Sequence, residues 1–148
     1  MTIYIVDIEP VESRYTAQWK EHLPKKLQAK CKQEVITVSG GDTPQMTTPG
    51  AFLNFAGTNV YKSTQAIKIA EMFAADEVKD GDHFIFTDAW NSTIVQLKYM
   101  ADLLGKNITI HGLWHAGSYD PADFLGRLIK NKSWTRNIER GYFWACDH

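Results

Sequence analysis

Short apolar runs alternate along this chain with segments in which apolar side chains recur at helical spacing. The runs contain consecutive β-branched residues without helical spacing, a composition typical of buried parallel strands. They predict strands over residues 3–8, 35–38, 83–87 and 107–113.

The segments between these runs predict helices. The first is expected over residues 13–30, where Pro24 would split or kink it. The next is expected over residues 63–75, after a long loop over 39–60 that is rich in Gly, Pro, Thr and Asn. A structureless loop of that length is unusual inside a compact domain and suggests a functional role. The remaining helices are predicted from a cap at Asn91 or Ser92 to a stop at Gly105, over residues 121–129, and from a cap at Ser133 through Ile138, with Ala145 as the furthest end.

Strands that alternate with helices predict an α/β fold, here a Rossmann-like parallel sheet with helices on both faces in a single domain. Right-handed crossovers bring the carboxyl ends of all parallel strands to one edge, where open α/β sheets bind ligands. That edge is expected to collect the polar and aromatic residues that follow the strands. The candidate ligand-binding residues are Asp7, Glu9, Arg14, Asp88, Trp90, Trp114, Ser118 and Tyr119.

Composition narrows the class of protein. The 148 residues carry a formal net charge of −1, which gives no electrostatic case for tight non-specific binding to nucleic acid. The two cysteines form no disulfide framework, and the N-terminus lacks the features of a signal peptide. No apolar run approaches the roughly 18 residues that a membrane span needs. These features predict a soluble cytoplasmic protein without membrane contacts.

Several familiar motifs are incomplete. Gly40 and Gly41 follow a predicted strand, but no Walker or dinucleotide-binding pattern surrounds them, so a simple turn is the favoured role. His111 and His115 have the spacing of a metal pair, with Cys146 and His148 as further possible ligands. Spread ligands without a short Cys-x-x-Cys spacing are weak evidence for zinc. No metal and no cofactor is therefore predicted.

Each of the remaining candidates is suited to two roles, one functional and one structural. Asp7 and Glu9 at the end of the first strand are suited to hold hydroxyl groups or act as a base, or else to cap the following helix. Trp90, Trp114 and Tyr119 are suited to stack on a sugar or a base, although single aromatic residues commonly serve core packing.

His115 is the best titratable candidate of the same edge, because an ordinary imidazole exchanges protons near neutral pH. A histidine in a loop is nevertheless as often structural as catalytic.

Segments 7–19 (DIEPVESRYTAQW), 115–127 (HAGSYDPADFLGR) and 138–148 (IERGYFWACDH) resemble the GT-B glycosyltransferases of tailed bacteriophages. The resemblance implies the N-terminal, acceptor-side Rossmann-like domain of such an enzyme. A second domain, absent from these 148 residues, would bind most of the nucleotide-sugar donor. The chain is accordingly expected to be a fragment of a longer protein.

The resemblance also implies a reaction, in which a base deprotonates an acceptor hydroxyl while a diphosphate leaves the donor sugar. His115 and Asp120 are the candidate catalytic residues, and Asp7 and Glu9 would orient the acceptor. Phage DNA is one candidate acceptor, although the near-neutral charge argues against DNA bound by this domain alone. For a phage protein the compartment would be the host cytoplasm. The alternatives are a non-catalytic α/β module that binds a nucleotide or sugar and a flavodoxin-like regulator.

Overall fold

The computed structural model describes residues 1–11, 15–43, 46–129 and 132–148 of the chain. Within these ranges the strands are β1 (Thr2–Val6), β2 (Glu34–Val38), β3 (His83–Phe86) and β4 (Thr109–Gly112). The helices are α1 (Tyr15–Lys30), α2 (Phe55–Ala74), α3 (Thr93–Leu104), α4 (Phe124–Ile129) and α5 (Ser133–Ala145).

The strands form a parallel sheet in the order β2-β1-β3-β4, which confirms the predicted Rossmann-like α/β fold. Each strand lies within two residues of its predicted bounds at either end. Strand β2 lies on one side of β1, and strand β3 lies on the other. The strands are therefore added in one direction from β1 to β2 and in the opposite direction from β3 to β4, and the reversal falls between β1 and β3. That reversal is the topological switch point at which such sheets bind ligands.

The main core packs on one face of the sheet. Tyr4, Phe84 and Ile110 lie in one register row across β1, β3 and β4, and all three are buried. Tyr4 stacks on Phe84 with ring centroids 4.7 Å apart. Ile69 of α2 and Leu97 of α3 belong to the same buried cluster, so these helices cover that face. The buried cluster holds the strand ends, and therefore the switch point, in fixed positions.

Helix α2 begins at Phe55, so the predicted loop over 39–60 extends too far at its end and the predicted helix start at residue 63 is too late. Asn54 caps the helix, and its side-chain oxygen accepts a hydrogen bond of 2.7 Å from the Gly57 backbone N–H. The buried positions on this helix are Gly57, Tyr61, Gln65, Ile69 and Phe73. Before residue 63 these positions include one apolar side chain, Tyr61, so a count of apolar residues misses the first turns.

Three other local expectations need correction. Helix α1 is continuous across Pro24, which does not split it. Helix α4 begins at Phe124, three residues after the predicted start at Pro121. Ser133 is the first residue of α5 and does not cap it, since Lys132 holds the cap position without a side-chain bond. The predicted stop of α3 at Gly105 is confirmed, because this glycine adopts the left-handed conformation with φ of 64°.

In the described ranges, no helix has the length and apolar character required to cross a membrane. Residues 13 and 14, which belong to the predicted first helix, lie outside the described residues.

Candidate functional site: a cleft at the switch point of the sheet

A cleft of about 550 Å³ opens where β1 and β3 end. This volume lies within the usual range of small-molecule sites. Its floor is made by residues that follow β1, β3 and β4, and its walls by α1, α2, α4, the loop before α2 and Tyr142 of α5. The polar or titratable lining residues are Glu9, Tyr15, Thr16, Thr58, Asn59, Lys62, Asp88, Trp90, Ser92, His115, Asp123 and Tyr142.

Glu9 is the most unusual polar residue of the cleft. Its side chain is brought there by β1, two residues beyond the buried Asp7, and the residue is only 8% exposed. One carboxylate oxygen, Oε1, accepts a hydrogen bond of 2.7 Å from the Thr43 hydroxyl. The other, Oε2, is buried and has no hydrogen-bond partner among the residues that the structure describes. Buried polar atoms are nearly always paired, so the unpaired Oε2 is a candidate acceptor for a hydrogen bond from a ligand.

His115 lies on the floor of the cleft, and its ring is held in place by a hydrogen bond and by two aromatic contacts. Its Nε2 lies 2.6 Å from the backbone carbonyl oxygen of Thr87. Tyr15 and Trp19 of α1 pack on the ring, with centroids 5.5 and 5.9 Å away. Because a carbonyl can only accept, Nε2 must be the protonated nitrogen of the neutral ring. Nδ1 has no hydrogen bond to any described residue, so it is the free proton acceptor of this imidazole.

Thr87 joins Glu9 and His115 structurally. Its hydroxyl oxygen accepts a hydrogen bond of 2.8 Å from the backbone N–H of Ile8, the residue before Glu9. Its carbonyl oxygen accepts the His115 bond. The residue itself follows β3 directly and is buried. The ends of β1 and β3 and the His115 loop are therefore attached to one buried residue.

Lys62 and Asp88 form an ion pair on another wall. The ammonium group of Lys62 lies 2.8 Å from an Asp88 carboxylate oxygen and donates a second hydrogen bond of 2.5 Å to the Trp90 carbonyl oxygen. The second Asp88 oxygen accepts from the Trp90 backbone N–H at 3.1 Å. Both charges of the pair are therefore already compensated, and Glu9 and Asp123 add further negative charge to the lining.

Glu139 of α5 was not among the predicted residues, yet it organises the loop beside the cleft. It accepts hydrogen bonds from the Ser118 backbone N–H at 2.6 Å, the Ser118 hydroxyl at 2.7 Å and the Trp90 indole N–H at 2.8 Å. Burial works to raise the pKa of this carboxyl, but the bonds from Ser118 and Trp90, aided by the charge of Arg136, hold it below its ordinary value. Glu139 is thus an ionised anchor for the loop that follows β4.

Tyr142 also lines the cleft and stays protonated across the physiological range. Burial, followed by the negative charges of Glu139 and Asp88, raises its pKa to about 12. Its ring meets Trp90 edge-on at 5.7 Å. The phenol is therefore a neutral group, available as a hydrogen-bond donor and not as a base.

The structure brings only part of the predicted site together. Glu9, Asp88, Trp90 and His115 line the cleft, whereas Asp7, Trp114, Ser118, Tyr119 and Asp120 are absent from its described lining. Arg14 lies outside the described residues.

Asp7 is occupied elsewhere. It is buried, and its oxygens accept hydrogen bonds from Ser39, Tyr61 and Gln65 at 2.6 to 3.0 Å, with Lys20 at 3.6 Å. It therefore connects the end of β1 to the end of β2 and to α2. This is neither the ligand contact nor the helix cap considered from the sequence.

The residues after β4 also have local roles. Asp120 is exposed, and its side-chain oxygen accepts a hydrogen bond of 2.8 Å from the Ala122 backbone N–H. Tyr119 is 63% exposed, and Ser118 is buried against Glu139. Trp114 is 36% exposed. The structure therefore does not place Asp120 beside His115 on the floor of the cleft.

The histidines considered as metal ligands separate into two environments. His111 lies away from His115, with its Nε2 2.9 Å from Nδ1 of His83 and its ring stacked on His148 at 5.1 Å. Burial, followed by the charge of Asp147, raises the pKa of the Cys146 thiol to about 11, which disfavours the thiolate that metals bind. In the described part of the chain, no group of three or more His, Cys, Asp or Glu side chains is arranged to hold a metal ion.

Comparison with protein-family models, with curated proteins and with solved structures finds no match to this chain. The fold and the cleft are therefore the basis on which function is inferred.

Proposed function

We propose that this chain is the acceptor-side domain of a GT-B-type glycosyltransferase and that it binds the acceptor in the switch-point cleft. The observation that carries the proposal is the state of His115. Its Nε2–H is held by the Thr87 carbonyl, and Nδ1 has no partner among the described residues. An imidazole oriented through one nitrogen, with the other unoccupied in a cleft, is suited to general-base chemistry.

The reaction assigned to this geometry is transfer of a sugar to an acceptor hydroxyl. Nδ1 of His115 accepts the hydroxyl proton as the acceptor oxygen forms a bond to the anomeric carbon of the donor. The bond between that carbon and the diphosphate breaks, and its electron pair leaves with the diphosphate. The Thr87 carbonyl stabilises the imidazolium that results, because its oxygen accepts the hydrogen bond from Nε2–H in both protonation states of the ring.

The charge of the cleft supports the acceptor role over a donor role. Glu9, Asp88 and Asp123 line the cleft, and the ammonium group of Lys62 is already paired with Asp88. A diphosphate placed among these carboxylates would be repelled, since like charges a few ångströms apart cost energy even near a protein surface. Under this proposal the donor diphosphate is bound by a separate domain.

The test uses the full-length gene product, a panel of nucleotide-sugars that includes radiolabelled UDP-glucose, and hydroxyl-bearing acceptors. We expect His115→Ala to lower the transfer rate by about 100-fold or more, the usual contribution of a general base. Asp120→Asn, which tests the second catalytic candidate, should transfer at nearly the wild-type rate because Asp120 is exposed in a turn before α4.

Exposed Glu71 on α2 provides the control variant Glu71→Gln. A wild-type rate in His115→Ala would remove the base assignment. Binding of acceptors in the cleft without transfer from any nucleotide-sugar would instead favour a non-catalytic binding module.

A further inference from the structure

The unpaired oxygen of Glu9 indicates one property of the ligand. Thr43 already occupies Oε1, and Oε2 is the one oxygen of this cleft-lining side chain that is buried without a described partner. A buried acceptor without a donor destabilises the protein, and more so when it is charged. A ligand that donates an O–H or N–H group removes this cost, whereas one that presents only acceptors increases it.

The aromatic residues of the cleft indicate a second property. Phe52, Phe55 and Phe124 form an aromatic cluster. The ring centroid of Phe124 lies 4.5 Å from that of Phe52 and 5.4 Å from that of Phe55. All three line the cleft, together with apolar side chains of α4 such as Leu125 and Leu128. An apolar surface of this kind stabilises a ligand in proportion to the apolar area that the ligand brings out of water. A small polar molecule without an apolar part would gain little from it.

We propose that the cleft takes an uncharged, hydroxyl-bearing molecule with an apolar, ring-sized body. One of its donors pairs with Glu9 Oε2, its reacting hydroxyl faces His115, and its body packs on Phe52, Phe55 and Phe124. The role of His115 here rests on the proposed function, whereas the ligand chemistry follows from Glu9 and the aromatic wall. The acidic lining excludes phosphorylated and carboxylated molecules by the same repulsion that disfavours a donor diphosphate.

The test measures binding to the 148-residue chain by isothermal titration and by ¹H–¹⁵N chemical-shift perturbation. The matched probes are phenyl β-glucoside, methyl β-glucoside, which lacks the apolar body, and phenyl phosphate, which replaces the hydroxyls by an anion. We expect phenyl β-glucoside to bind at least about 10-fold more tightly than either of the others, which corresponds to about 1.4 kcal/mol.

Glu9→Gln should weaken phenyl β-glucoside binding by about 10-fold, because the amide replaces a carboxylate acceptor for the ligand's donor. The same variant should leave the unfolding midpoint of the ligand-free chain unchanged or raised, since it removes a buried charge with an unpaired oxygen. A purely structural Glu9 would show a lowered midpoint. Glu71→Gln, on the exposed side of α2, should leave both quantities at their wild-type values.

The ligand class is overturned by tighter binding of phenyl phosphate, by equal binding of methyl β-glucoside, by unchanged affinity in Glu9→Gln, or by no binding of any probe up to about 10 mM. Failure of the glycosyltransferase proposal is distinguishable. His115-dependent transfer by the full-length protein to methyl and phenyl acceptors alike would overturn this inference alone. The expected binding preference without transfer would overturn the glycosyltransferase alone.

Discussion

His115 and Thr87 are joined by a hydrogen bond in which the ring nitrogen Nε2 lies 2.6 Å from the backbone carbonyl oxygen. The bond ties the loop after β4 to the end of β3 and decides which nitrogen of the neutral ring holds the proton. Orientation of one ring nitrogen by a backbone carbonyl is a common way to set the reactive tautomer of a histidine.

We therefore expect the neutral His115 ring to be the Nε2–H tautomer. Long-range ¹H–¹⁵N correlation spectra above the titration range distinguish protonated from unprotonated ring nitrogens and would assign it. His22, exposed on α1, serves as the comparison within the same spectrum. A proton on Nδ1 of His115 would contradict the geometry and would leave the proposed base without its acceptor.

The alternation of strands and helices was sufficient to predict the sheet and the edge at which the cleft lies. The spacing of apolar residues and the β-branched composition identify buried parallel strands even when the neighbouring strands in the sheet are unknown. His115 was predicted at this edge for the same reason, because it follows a strand. The structure confirms the fold class and places this residue on the floor of the cleft.

The remaining cleft residues depend on long-range packing that no local pattern contains. Phe124 meets Phe52 only because α4 folds back against the loop before α2. Glu139 comes from the last helix and reaches Ser118 across 21 positions of sequence. Asp7 and Glu9 look equivalent in the sequence, yet burial against Tyr61 makes one structural while the other retains an unpaired oxygen. Contacts between residues far apart in the sequence determine the role of each cleft residue, and the spacing of residues along the chain does not reveal these contacts.

Replacement of Glu139 by alanine should destabilise the chain by about 3 kcal/mol, because three donors from Ser118 and Trp90 lose a charged acceptor. Urea denaturation monitored by tryptophan fluorescence would measure the loss. Glu71→Ala, a truncation at an exposed position of α2, should stay within about 0.5 kcal/mol of the wild type. Equal values for the two variants would mean that the Glu139 bonds contribute nothing net.

The stack of His83, His111 and His148 should make stability fall in mild acid. Burial, followed by the nearby charges of His83 and His148, lowers the pKa of His111 below its ordinary value of 6.5, although Asp147 acts in the opposite direction. Between the lowered pKa and 6.5 the unfolded chain binds a proton that the folded chain does not, so stability decreases as pH falls through this window.

His111→Asn should therefore reduce the difference in unfolding free energy between pH 7.5 and pH 5.5, as measured by urea denaturation at both values. His22→Asn on the exposed surface of α1 should leave that difference as it is in the wild type. An undiminished difference in His111→Asn would assign the acid sensitivity to other groups.

Gly126 and Gly141 offer a matched pair of helical glycines with opposite expectations. A Cβ atom at Gly126 in α4 would lie 1.8 Å from the Asp120 carbonyl oxygen and 2.7 Å from its carbon, so the backbone of the turn or of the helix must move. At Gly141 in α5 the same atom would meet nothing within 4 Å. Gly126→Ala should cost about 2 kcal/mol through overpacking, whereas Gly141→Ala should stabilise the chain by about 0.5–1 kcal/mol through helix propensity.

The Gly126→Ala variant should also weaken the binding of phenyl β-glucoside, because α4 supplies Phe124, Leu125 and Leu128 to the cleft wall. Gly141→Ala should bind this probe as the wild type does, since α5 reaches the cleft through Tyr142 and the substitution leaves that side chain in place. The affinity of both variants for phenyl β-glucoside is measured together with their free energy of unfolding in urea. The comparison distinguishes a displaced cleft wall from a general loss of stability. Unchanged affinity in a measurably destabilised Gly126→Ala would show that the position of α4 does not shape the ligand site.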